Sequence, residues 1–151
     1  MQFFKNILMY FAISFIIMIV SGSLGSSFLL QFLKKDLLTI LIALFGLNVA
    51  ILSILISKLS DSKKQYPDLE LKEITHEMKL SLIEFIVLIA IAFLCLILIG
   101  SEKLTFQCKE LTFSTLLLST LIYSLVIIWD TGNSIFVLVQ EEETKDDGQE
   151  Q

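Results

Sequence analysis

The chain has 151 residues, 55% of them hydrophobic and 18% charged, with a formal net charge of -5. Soluble domains are about 45–50% apolar and about 25% charged, and a soluble chain of this length buries only one modest core. With a mean hydropathy of +0.81, an ordinary water-soluble domain is excluded.

A bilayer core about 30 Å thick needs roughly 20 apolar residues wound as helix. Four stretches meet that length: one within Phe3–Phe32, then Leu37–Leu59, Leu80–Gly100 and one within Leu111–Val139. The runs are solidly apolar rather than alternating, which excludes barrel strands. Helix is then the state that satisfies the backbone in lipid. The expected fold is an all-α integral membrane protein, a four-transmembrane-helix bundle with the third helix extended into the cytoplasm. The membrane domain is 1–139, with helices at about 3–32, 37–59, 68–100 and 111–139 and a connection at 60–79, and the tail is 140–151.

The first stretch has two features beyond length. Lys5, the run Ile7–Val20 and then Ser21-Gly22-Ser23 imitate a signal peptide with a small-residue cleavage region. The apolar character resumes at Phe28-Leu29-Leu30, which favours a tilted span. Gly22 and Gly25 sit among serines at four-residue spacing, the pattern that lets helices approach closely. Tight packing is the expected use of these residues; a local kink or break is the alternative. Lys34-Lys35-Asp36 reads as a very short turn, making the first two helices an antiparallel hairpin. Asn48, near the middle of the second helix, is expected to make an interhelical hydrogen bond, with ligand or ion contact as the minor alternative.

Ser60–Tyr66 has loop composition. Pro67, Asp68 and Glu70 then suit a helix first turn. Leu71, Ile74, Met78 and Leu82 follow at helical spacing, and Asp68 and Lys72 form a favourable i,i+4 pair. The third helix is therefore expected to start near Asp68 and to project about 18 Å beyond the bilayer. Its apolar stripe needs cover from another copy, the membrane surface or a partner protein. Leu71, Lys72, Ile74 and Met78 are the expected partner-binding residues.

On the fourth helix, Thr112, Thr115, Ser119, Tyr123, Asp130 and Ser134 fall on one side at about 100° per residue, shared with Leu116 and Val126. With Asn48 they form an expected intramembrane polar face, pointing into the bundle or a water-filled cavity. Asp130 follows Ile127-Ile128-Trp129. Either Trp129 is an interfacial aromatic with Asp130 at the cytoplasmic boundary, or the helix runs on to Val139 with Asp130 immersed; the first is favoured. The last twelve residues hold six acids and one Lys, which reads as a disordered, solvated tail.

With four spans, seven lysines (Lys5, Lys58, Lys63, Lys64, Lys72, Lys79, Lys145) face four (Lys34, Lys35, Lys103, Lys109). The positive-inside rule then places both termini in the cytoplasm. Ser101–Glu110, with Cys108, is then expected on the extracytoplasmic side, the expected membrane being the bacterial cytoplasmic (inner) membrane. All eleven basic residues are Lys, which weakens any nucleic-acid reading because the bidentate Arg fork is missing. Cys95 and Cys108 read as free thiols, with an intermolecular bridge at Cys108 as the alternative. The single His76 reads as a solvated surface residue. No catalytic, metal or phosphate motif appears, so no enzyme activity and no cofactor is expected. Small four-span proteins serve as membrane subunits of transport, secretion and bacterial phage-defence (antiviral) systems, an analogy of architecture alone. The expected function is a non-enzymatic, homo-oligomerising membrane subunit that anchors or signals to a cytosolic protein partner. A holin-like pore is the alternative, with a small transporter weaker.

Overall fold

The computed structural model describes the backbone of residues 2–65, 72–102 and 108–146, and the side chains of 8–60, 74–102 and 108–134. These residues form five helices and no strand: α1 (Gln2–Ser23), α2 (Phe28–Lys35), α3 (Leu37–Gln65), α4 (Lys72–Gly100) and α5 (Lys109–Asp146). Three have segments long and apolar enough to cross a membrane: Leu37–Ser60, Ile74–Gly100 and Lys109–Ser134. The 22 residues of α1 rise about 33 Å, and its described apolar part is Leu8–Ser23.

The expected single helix over 3–32 is two helices. Gly25 has φ 65°, a left-handed conformation that glycine adopts without steric cost. Its amide donates to the Gly22 carbonyl (3.0 Å), and the Ser26 amide donates to the Ser21 carbonyl (3.1 Å). Those two bonds make a Schellman motif, which satisfies orphan carbonyls at a helix end. A Cβ added at Gly22 or Gly25 meets nothing within 4 Å. Within this chain, therefore, the two glycines are not at a close helix contact. They terminate α1.

The expected turn at Lys34–Asp36 is also corrected. Asp36 keeps right-handed helical angles (φ -108°, ψ -19°). Its amide donates to the Phe32 carbonyl (2.9 Å), and its carbonyl accepts from the Ile40 amide (3.0 Å). These are the i→i−4 bonds of a helix interior, so the chain bends here without reversing. Leu33, Leu37 and Leu41, four residues apart, are all fully buried and carry one apolar stripe through the bend. The reversal lies at Leu24–Ser27.

α5 sits at the centre. It packs on α1, α2, α3 and α4, whereas α1 packs chiefly on α5. The apolar part of α5 is 39% buried, against 22% for those of α3 and α4. Ala92 and Cys95 of α4 join Leu117 and Leu118 in one cluster, while Phe85 and Leu88 join Ile127 in another; α4 is therefore antiparallel to α5. Tyr10 meets Tyr123 and Met18 lies in the cluster of Leu117, so α1 is antiparallel to α5 as well. Lys34 Nζ pairs with Glu110 Oε1 at 2.5 Å, the side chains 34% and 61% exposed. Such a pair contributes only about 0–1 kcal/mol, but it marks α2 and the start of α5 as one end of the bundle. At the same end Lys109 Nζ donates to the Ser101 carbonyl.

Two further boundaries differ from expectation. Ser60–Gln65 continues α3, although its composition reads as loop, because extending an existing helix requires no new nucleus. The same reason applies to 140–146, expected as disordered tail, which continue α5 to Asp146. The helix bearing the projected segment is described from Lys72, and its expected start at Asp68 lies outside the described residues, as do 147–151.

Gly25→Ala should lower the stability of the purified protein by about 1–2 kcal/mol, the cost of a left-handed residue with a Cβ. Gly22→Ala should be neutral or stabilising by up to about 1 kcal/mol, since it removes a helix glycine and meets no neighbour. Reversible SDS titration of both variants in mixed micelles checks the sign.

Candidate functional site

The hydroxyls of α5 are mostly satisfied by their own helix. Thr115 Oγ1 donates to the Leu111 carbonyl (2.8 Å), Thr120 to Leu117 (2.7 Å), Ser124 to Leu121 (2.7 Å) and Thr131 to Ile127 (2.8 Å). Such bonds leave a small, non-polar outline toward the neighbouring helix. Small residues then let backbones approach where lipid supplies no hydrophobic drive. On α1, Ser14 does the same toward the Tyr10 carbonyl (2.8 Å) and is fully buried.

This changes the meaning of the expected polar face. Of its members Thr115 is buried, Ser119 and Tyr123 are half-buried, and Thr112, Asp130 and Ser134 are exposed. The face does not line an interior within one chain. It passes from the core at Thr115 to the outside of the bundle at Asp130. Ser114, Thr120 and Ser124, on other sides of α5, are buried too, because α5 is surrounded.

The interhelical polar contacts gather in one layer. Asn48, fully buried on α3, donates from Nδ2 to Ser81 Oγ on α4 at 3.2 Å, and its Oδ1 has no partner. One turn along α4, Glu84 accepts from Tyr123 Oη on α5 at 3.3 Å. The Tyr123 ring meets Tyr10 of α1, centroids 5.9 Å apart and tilted by 43°. Four helices thus contribute to adjacent contacts, with the Phe45–Phe85 ring pair (5.9 Å) packed beside them.

Glu84 escapes a motif-based reading, although a signal for it exists. It is the one charged residue between Leu80 and Gly100, and an ionisable residue inside an apolar span marks a functional site by default. An acidic side chain at mid-bilayer costs about 2.5–3.5 kcal/mol on insertion scales. The surrounding Leu, Ile and Phe offset that cost, so the carboxyl does not announce itself in hydropathy. Chemically, this layer accepts hydrogen bonds and holds a proton or a positive charge.

Among the other expected site residues, Met78 is buried in a cluster with Leu52, Leu55 and Leu59 of α3. The α4 stripe is therefore covered in part by the end of α3, a cover supplied by the chain itself. Ile74 remains exposed; the side chains of Leu71 and Lys72 lie outside the described residues. His76 is exposed, Cys95 is buried and Cys108 exposed. Among the described residues no three His, Cys, Asp or Glu side chains gather as metal ligands.

The fold and this layer define the class: an all-helical protein with three helices suited to crossing a membrane and a polar layer between them. No known protein family, curated protein or solved structure matches the chain.

Asn48→Ala and Ser81→Ala should each destabilise the bundle. A double-mutant cycle on the pair should return a coupling of about 0.6 kcal/mol, the usual size of an interhelical hydrogen bond in a membrane. A coupling indistinguishable from zero would remove this contact from the structural account.

Proposed function

We propose that the chain is a non-enzymatic integral membrane subunit that anchors, or signals to, a cytosolic partner within a larger complex. In this reading α1, α3, α4 and α5 are four spans, and both termini face the cytoplasm. One observation carries it. At a single end of the bundle α3 runs on to Gln65, α4 begins at Lys72 and α5 continues to Asp146. The stretch 140–146 alone adds about 10 Å of helix. At the opposite end the links are short, at Leu24–Ser27 and 101–108. The helices therefore offer a docking stalk on one side only, and that side carries the larger share of the lysines.

The exposed part of the α4 stripe, Ile74, together with Lys72 and Glu73, is the docking surface in this reading. Met78 contributes by holding α4 against α3. Ile74→Ser, or reversal of both charges at Lys72 and Glu73, should release a soluble partner that co-purifies in gentle detergent, with membrane insertion unchanged. Met78→Ser should lower stability instead, by about 2–4 kcal/mol, as a buried apolar side chain is lost and a hydroxyl enters. Retained partner binding in the Ile74 and charge-reversal variants would refute this docking surface.

The orientation has its own test. An impermeant maleimide added to spheroplasts, whose inner membrane is intact, should label Cys108, which is exposed, and spare Cys95, which is buried. Labelling of Cys108 only after the membrane is opened would invert the topology.

A second reading, an oligomeric pore, is favoured by the exposure of Thr112, Asp130 and Ser134 on the outer side of α5, where copies of the chain would meet around a lumen. It expects ion leakage on expression and a changed conductance in Asp130→Asn and Ser119→Leu. Unchanged conductance in both variants rejects it.

A further inference from the structure

α4 carries two lengthwise stripes. One comprises Phe85, Leu88, Ala92 and Cys95, all buried against α3 and α5. The other runs Leu80, Glu84, Val87, Ile91 and Leu94, at intervals of four, three, four and three residues. That is the interval of a helix–helix seam. Its apolar members are exposed: Leu80 43%, Val87 48%, Ile91 37% and Leu94 57%. Glu84 sits within this seam, at the border where α4 meets α5.

The Glu84 carboxyl is half-satisfied. One oxygen accepts from Tyr123 Oη at 3.3 Å. For the other no hydrogen-bond partner is found among the described residues, and the residue is half-buried. Among the described residues the one ion pair is Lys34–Glu110, at the other end of the bundle. The chain has no Arg, and no Lys lies within 37–57, 80–100 or 111–139. Lys79, the nearest basic residue in sequence, precedes Glu84 by five residues and so stands about 140° away around the helix. In a second copy the nearest lysine by position is Lys79, about one and a half turns from the level of Glu84. Among the described residues of this chain, no cation stands at the depth of Glu84.

We propose that the Leu80–Leu94 stripe of α4 is an intramembrane docking seam for a transmembrane helix of a second protein, and that Glu84 is the point where a Lys or Arg of that helix is received. The apolar members supply close packing along the seam. The carboxylate and Tyr123 fix its register, because a buried charge is tolerated only where its counter-charge and hydrogen bonds are in place. This rests on the subunit reading above but not on its cytosolic surface.

The test uses the full chain in phosphatidylcholine vesicles, labelled at Cys108 with a fluorescent donor. The probe is a synthetic poly-leucine transmembrane peptide with one Lys, carrying an acceptor; the same peptide without Lys is the control. The Lys peptide should associate at least about tenfold more tightly than the control, the equivalent of one charge-assisted hydrogen bond. A series moving the Lys along the peptide should peak at the depth of Glu84, about 7.5 Å inside the level of Lys79. Glu84→Gln should abolish the preference while self-association and helicity stay unchanged, and Tyr123→Phe should weaken it several-fold. Because the probe has no cytosolic part, loss of docking at Ile74 leaves this result unaffected. Equal association of the two peptides, or an undiminished preference in Glu84→Gln, overturns the proposal. So does energy transfer between copies of the chain along α4, which would give the seam to a homo-oligomer.

Discussion

The close packing of α5 is the constraint on which the rest of the structure depends. Every other helix rests on it, and it serves as a centre because its buried serines and threonines are small and most of them, Ser114 excepted, donate to their own backbone. In water such residues would be poor core material, since the hydroxyl competes for solvent and contributes little apolar area. Where the surroundings are apolar, that objection disappears. What counts is how near two helix backbones come and whether any polar atom is left exposed to hydrocarbon. Ser14 on α1 answers α5 in kind. The large residues, by contrast, lie mainly outward: Leu8, Ile16, Phe93, Leu94 and Trp129 are all more than half exposed. The interior thus combines these small hydroxyl residues with leucines and Phe85, while many other large apolar side chains face outward.

Much of this was legible in the residues. Apolar runs of sufficient length showed where helices lie, because helix is the one way to satisfy backbone groups there, and α3, α4 and α5 cover the predicted stretches. What stayed illegible has identifiable causes. Gly22 and Gly25, with their serines, fit two mechanisms, close approach and helix termination, and only the backbone angle at Gly25 separates them. Lys34-Lys35-Asp36 is polar enough for a turn, yet polarity does not dictate reversal when the i→i−4 bonds survive. Ser60–Gln65 looks like a loop when read alone; it is helical as the continuation of a helix already formed. The expected polar face was sound in its winding, yet winding does not reveal how many neighbours a helix has. With neighbours around most of α5, one side is not privileged, and Asp130 falls outside. Glu84 was overlooked because a single carboxyl hardly alters the hydropathy of its run.

The polar layer and the apolar clusters divide the work of specification. Leucines, isoleucines and phenylalanines set the fact of association but are nearly interchangeable in register. The Asn48–Ser81 and Glu84–Tyr123 contacts are directional, each joining two particular positions on two helices. A slip of α4 by one turn would leave most apolar packing serviceable and break both bonds. Placing them in one layer fixes α3, α4 and α5 axially with few polar atoms committed, while Tyr10 extends the same registration to α1.

The helix at the centre is also the one farthest along the chain. During synthesis α1 leaves the ribosome with its buried stripe, Ser14 and Met18, intended for a surface that does not yet exist. α3 and α4 emerge next and can pair with each other through Leu55, Leu59 and Met78. α1 has no such early companion, and must wait in the lipid or against the insertion machinery until α5 arrives. Assembly is therefore ordered by translation: a hairpin first, then a single late event that gathers that hairpin and α1 around the newest helix.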